Sequence, residues 1–248
     1  MKISRDAAIE NRCLQSRSID RHCHRRWLVM VENSLHEGVK RWYAEPEDLI
    51  EENVEGYIVD VVRGEQLIEI QTRNFSAIKK KLAKLVRHHR VRLVHPVSQR
   101  KWIVRIDANG EMVSRRRSPR RGRVEDVFLE LVYLPYLMKE PNFSLEVLLV
   151  HSEEVLIDDG RGSWRRRGWS IHDRRLLEVV ESHIFSEPRD FLGLLPESLR
   201  PEFTTRRLSE ALGLRLNIAQ KMVYSLRNMA AIEAIGKRGR APIYTVRN

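Results

Sequence analysis

The chain has 248 residues, 45 of them Lys or Arg against 34 Asp or Glu, for a formal net charge of +11. With 42% apolar and 32% charged residues it holds too much core material for a disordered chain, and no apolar run approaches the ~20 residues of a spanning helix. Two cysteines, Cys13 and Cys23, exclude a disulfide framework, and the expectation is a cytoplasmic protein with no membrane partner whose arginine excess meets an anionic one, nucleic acid first.

Residues 1–27 carry many charges without periodicity and read as a poorly ordered basic lead-in. Cys13, His22, Cys23 and His24 fall there at spacings that match no zinc pattern. Lys2 and Arg5 precede no apolar segment of signal-peptide length, so no secretory signal is expected. From Trp27 onward, Leu28, Val31, Glu32, Leu35, His36, Val39 and Trp42 recur at spacings of three and four, an amphipathic helix stopped by Pro46. Glu32 shares the inward stripe with Leu35, His36 and Val39, whereas Glu37 lies off it. Three β-type segments follow, Leu49–Glu55, Gly56–Arg63 and Gln66–Thr72, with Gly64 marking a tight hairpin.

A second helix, Phe75–His89, keeps Phe75, Ile78, Leu82, Leu85 and Val86 on one stripe and its lysines elsewhere. Val91–Val97 and Lys101–Ile106 read as two strands, and Ser114–Arg123, with six arginines in ten positions, as a loop. Val124–Lys139 is an expected helix and Ser144–Val150 one more strand. In Gly160–Trp169, Trp164 and Trp169 flank three arginines and are expected to pack a linker against its domain. Helices are then expected over Arg174–Phe185, over Thr205–Leu212 with Thr204 as N-cap and Gly213 as its end, and over Asn217–Met229. Ile232–Val246 closes the chain as a hairpin bending at Gly236 and Gly239.

The chemistry concentrates in the hairpin. Strand alternation places Glu69 and Gln71 on one face and Ile68, Ile70 and Thr72 on the other. Asp60 interrupts the run Ile58, Val59, Val61, Val62 in the same way that Glu69 interrupts LIEI, and a carboxylate inside an apolar strand needs a partner. That partner is either a hard divalent cation shared by the two groups or a nearby Arg or Lys.

At these residues the chain resembles the PD-(D/E)XK, or restriction-endonuclease-like, nuclease superfamily. The pattern is Asp60, eight intervening residues, then Glu69-Ile70-Gln71, with a helix before the strands and a basic helix after them, over about residues 28–110. The resemblance implies an α/β fold with a mixed-sheet α-β-β-β-α-β core and a metal-dependent DNA endonuclease. Asp60, Glu69 and the Ile70 carbonyl would hold Mg²⁺ (or Mn²⁺), Glu32 would support it, and Gln71 would position the attacking water. Arg73, Lys79, Lys80 and Lys84 would contact the nucleic-acid backbone. The family usually has lysine where Gln71 stands, and that departure implies the alternative, a catalytically inactive nuclease-like regulator that binds DNA.

Residues 169–248 resemble a winged helix-turn-helix, a mostly helical C-terminal domain after a nuclease-like domain over 28–168. The resemblance places Gln220, Lys221, Tyr224 and Arg227 on a recognition helix and Lys237, Arg238 and Arg240 on a basic wing. DNA is the expected partner, RNA stays open because basic patches do not separate the two polymers, and a homodimer is compatible with this reading.

Overall fold

The two-residue turns Glu55-Gly56, both at positive φ (51 and 86), and Gly64-Glu65, with Gly64 at φ 54, fold the first apolar runs into a meander. The computed structural model describes residues 35–162, 168–199 and 201–247. Helix α1 (Leu35–Tyr43) leads into β1 (Leu49–Val54), β2 (Tyr57–Arg63) and β3 (Gln66–Ile70), then α2 (Phe75–Leu85) and β4 (Arg90–Ile106). β5 (Met112–Arg117), the short helix α3 (Phe128–Leu131), β6 (Phe143–Asp158) and β7 (Trp169–Phe185) complete a mixed α/β fold around one seven-stranded sheet. The strand order is β1-β2-β3-β4-β6-β7, with β5 also on β4. β3 and β6 run parallel to β4 and the other pairs are antiparallel. The C-terminal part is α4 (Thr205–Leu212), α5 (Leu216–Asn228) and the hairpin β8 (Ile232–Arg238) and β9 (Ala241–Val246). Among the described residues no helix is long and apolar enough to cross a membrane.

Both sheet faces are covered. Under α1, the smaller cluster joins Leu35 and Val39 to Val61, Ile68, Ile70, Val94, Leu148 and Val150. The larger cluster covers the other face and is continuous from Leu67, Phe75, Leu82 and Phe143 to Leu208, Met222, Leu226 and Tyr244. The C-terminal helices therefore share the core of the sheet.

The structure corrects several expectations. Val91–Val97 and Lys101–Ile106 are one strand, kinked by a bulge at Gln99, the residue skipped between Ser98 and Arg100 in the β4–β6 register. The first arginines of Ser114–Arg123 lie on β5, a strand, because β4 extends far enough to pair with them. Val124–Lys139 is broken into the 3₁₀ turn Val124–Val127, α3 and the 3₁₀ turn Pro135–Lys139, with Pro135 starting the last. Arg174–Phe185 is strand, not helix, paired along its length with β6. The boundary expected at 168/169 accordingly falls inside the β6–β7 hairpin, and the sheet runs to Phe185. Thr204 does cap α4, its Oγ1 accepting from the Arg207 N–H at 3.3 Å, and Gly213 closes it at φ 61. Gly236 lies at a bulge within β8, while Gly239, at φ 62, makes the bend. The basic lead-in with Cys13, His22, Cys23 and His24, the start of the first helix with Glu32, and Trp164 lie outside the described residues.

Candidate active site

Asp60 and Glu69 lie where the β2–β3 ladder stops, near enough for the charge of Asp60 to act on Glu69. The two strands pair from Arg63↔Gln66 to Val61↔Ile68 and no further. At the next step the Ile70 N–H donates to Asp60 Oδ2 at 2.7 Å, so a side chain replaces the backbone acceptor and β2 diverges from β3. Val61 faces the smaller cluster but Val59 the larger one, a break in alternation that puts Asp60 in the wedge between the strands.

Each carboxylate has a basic neighbour from a different helix. His36 Nε2, on α1, lies 3.1 Å from Asp60 Oδ2. Lys81 Nζ, on α2, lies 2.5 Å from Glu69 Oε2 and donates as well to the Ile58 carbonyl. Beside them Lys40 bridges Glu37 and Glu51. Glu69 is 7% exposed; burial, and then the charge of Asp60, raise its pKa against the pull of Lys81. Burial pushes Asp60 up too, but the hydrogen bonds from His36 and Ile70 outweigh it and its pKa is lowered. The same bond to Asp60 raises His36.

Gln71 follows the last residue of β3. Its N–H donates to the Val94 carbonyl at 2.9 Å, and its side-chain amide donates to the Arg73 carbonyl at 2.6 Å, bracing the turn into α2. His95 lies 2.7 Å from the Gln71 carbonyl through Nδ1 and meets Phe75 edge-on; burial lowers its pKa.

Asp60 Oδ1 and Glu69 Oε1 receive no hydrogen bond from a described residue. Two carboxylates with a free oxygen each suit a hard cation that keeps most of its waters, the usual manner of Mg²⁺. No group of three His, Cys, Asp or Glu gathers among the described residues, so these residues form no closed protein cage.

Sequence reasoning missed His36 and Lys81 as neighbours of the pair. His36 was on the inward stripe, and Lys81, three residues after Ile78 and one before Leu82, flanks the buried stripe of α2. Glu37, expected to face water, is half-buried against Lys40 and Arg41.

The expected backbone-contacting residues divide. Arg73 and Lys80 are exposed. Lys79 lies over the Tyr136 ring at 5.2 Å, and Lys84 donates to the Glu55 carbonyl beside the Tyr57 ring. On α5, Gln220, Tyr224 and Arg227 are exposed. Lys221, expected outward, turns in: α5 packs on α3, and its ammonium donates to the Leu129 carbonyl at 3.0 Å. Lys237 and Arg240 are exposed on the hairpin, while Arg238 pairs with Glu202 at 2.9 Å. Trp169 packs under Arg105, 4.9 Å from its guanidinium carbon.

Comparison with known proteins gives a match of residues 33–186 to the family described as domain of unknown function (DUF8091). A relative from Treponema pallidum (strain Nichols), described as an uncharacterized protein, is 30% identical over 214 residues, covering 86% of this chain and 84% of its own. No solved structure matches.

Proposed function

Starting from a chain that belongs to the DUF8091 family, whose matched span takes in the whole seven-stranded sheet, we propose a metal-dependent DNA endonuclease of the restriction-endonuclease-like type with a C-terminal winged-helix module. The observation that carries this reading is the nearness of Asp60 and Glu69 in the wedge where β2 leaves β3. The element order α1-β1-β2-β3-α2-β4, with β3 and β4 adjacent and parallel, supports it.

Asp60, Glu69 and the Ile70 carbonyl would hold Mg²⁺ or Mn²⁺, which when bound polarises a phosphate oxygen and acidifies a water. Lys81 keeps a positive charge beside Glu69, offsetting the negative charge that grows on phosphate as the bond breaks. His36 keeps Asp60 ionised. Gln71 reaches an attacking water only by releasing the Arg73 carbonyl, and its neutral amide can orient that water but not deprotonate it. In the C-terminal module, α4, α5 and the β8–β9 hairpin follow the order of a winged helix. Gln220, Tyr224 and Arg227 then read the duplex, and Lys237 and Arg240 hold phosphate.

A second reading, a nuclease-like DNA-binding regulator without activity, is favoured by one observation: Gln71 is committed to Arg73 while His36 already hydrogen-bonds Asp60 and Lys81 already pairs with Glu69. Incubation of the purified protein with supercoiled plasmid, single-stranded DNA and RNA, each with Mg²⁺, Mn²⁺ or EDTA, separates the two. Divalent-dependent nicking that is lost in Asp60→Asn and Glu69→Gln supports the enzyme. Inertness with every substrate and metal supports the regulator.

A further inference from the structure

β5 occupies the same lane of the sheet as β3. β6 pairs with β4 along one edge from Val91 to Ile106, so β3 and β5 share the other edge. β3 ends with Ile70 opposite Val94, and β5, running the other way, ends with Arg117 opposite Trp102. Their C-terminal ends therefore face each other across a gap in the lane. Pro96 lies in that gap: the Val94 carbonyl accepts from Gln71 on the β3 side, so Pro96, two residues on, turns its N–H-less nitrogen to the unpaired stretch.

The chain after β5 closes much of the gap. The Ser118 N–H donates to the Lys101 carbonyl at 2.7 Å and the Gly122 N–H to the Ser98 carbonyl at 3.0 Å. Only glycine fits at 122, because a Cβ there would stand 2.4 Å from the Ser98 oxygen. This path carries the arginines of β5 and its following turn back towards the end of β3, and Arg120 and Thr72 line one cavity of about 220 Å³.

Arg115 is engaged with Glu153 at 2.7 Å, and Arg120 lies 3.5 Å from Asp126. Arg116, Arg117 and Arg121 are exposed, and among the described residues they have no acidic partner and no further strand covers the outer edge of β5. Arg116 and Arg117, consecutive on β5, project to opposite faces of the sheet and so flank its outer edge. We propose that, with Arg121 beyond the strand, they clasp the phosphate backbone of duplex DNA along that edge towards Asp60 and Glu69; the purpose of this track, though not the binding itself, rests on the nuclease reading. The track suits a duplex because, among the described residues, it offers no open ring to an unpaired base. Trp102, an aromatic of this surface, is covered by Arg115 and met edge-on by His151.

The test is anisotropy with a short labelled duplex in EDTA over a range of salt, comparing wild type with the triple variants Arg116→Gln/Arg117→Gln/Arg121→Gln and Arg116→Lys/Arg117→Lys/Arg121→Lys. The glutamine variant should bind about 10-fold or more weakly, with the slope of log K against log salt flattened by roughly 2–3, and the lysine variant should keep the wild-type slope. Wild-type affinity and slope in the glutamine variant overturn the track. Equal losses in both variants also overturn it, because the effect is then not one of charge. Single-stranded DNA or RNA held as tightly as duplex through these arginines overturns the duplex assignment. Because no divalent ion is present, a wild type that binds in this way yet never cuts with Mg²⁺ or Mn²⁺ sinks the nuclease reading and leaves the track standing.

Discussion

Lys81 Nζ bonds both Glu69 Oε2 and the Ile58 carbonyl, so one ammonium from α2 ties together the strands that carry Asp60 and Glu69. It brings to the carboxylates a positive charge that Gln71, within the motif itself, does not have.

Replacing that ammonium should be costly and pH-dependent. Lys81 holds down a Glu69 pKa that burial and Asp60 raise, so Lys81→Met leaves a buried carboxylate uncompensated wherever it is ionised. Urea denaturation should show a loss of about 2–3 kcal/mol at pH 8 that shrinks towards pH 4 as Glu69 takes up its proton. A loss independent of pH would mean that Lys81 acts through packing alone.

The His36–Asp60 pair has a bounded window. His36 is raised from 6.5, so its contribution is complete below that value and disappears as pH rises through its folded pKa. Asp60 is lowered from 3.8, so its contribution is complete above that value and disappears as pH falls through its folded pKa. His36→Ala should therefore destabilise by about 1 kcal/mol between roughly pH 4 and 6.5 and by little at pH 9, a figure kept small because His36 is partly exposed. Thermal melts across that range check it.

On the nuclease reading, Gln71→Lys should leave the fold intact and raise the single-turnover rate of plasmid nicking several-fold, because a cation would replace a neutral amide near the phosphate. If the wild type is inert and the lysine variant cuts, the native protein is the regulator of the second reading.

Ending the chain after Glu187 should give an aggregating product with no cooperative melt. The cut removes Phe191, Leu195, Leu199, Phe203, Leu208, Met222, Leu226 and Tyr244 from a cluster they share with Leu67, Phe75 and Phe143. A soluble fragment with a sharp transition would show that the sheet holds its own core.

The meander was legible because turn chemistry and alternation agree there: Gly56 and Gly64 stand at positive φ, and Asp60 and Glu69 interrupt strongly apolar strands. Thr204 and Gly213 marked α4 for equally local reasons. β7 was not legible. The register of β6 and β7 skips His172, Leu177 and Val180, and each bulge shifts the side-chain alternation by one residue. Leu177, Val180 and Ile184 consequently fall at spacings of three and four, which imitates a helical stripe, yet all three are exposed. The ion pair from Lys81 was hidden for a different reason, since an apolar stripe identifies which helix face is buried but not which cation at its margin finds an acid. Gly122 gave no local signal either, because its need for a bare Cα comes from Ser98 on another strand.

The shared core has a geometric corollary. With Leu208, Met222 and Leu226 locked into the same apolar mass as Leu67 and Phe75, the outer surface of α5 stands at a constant offset from the Asp60–Glu69 wedge, as a mark stands on a ruler. On the nuclease reading, breaks would fall at a single fixed number of base pairs from the groove that Gln220, Tyr224 and Arg227 occupy, a spacing that an end-labelled duplex resolves as one band instead of a ladder.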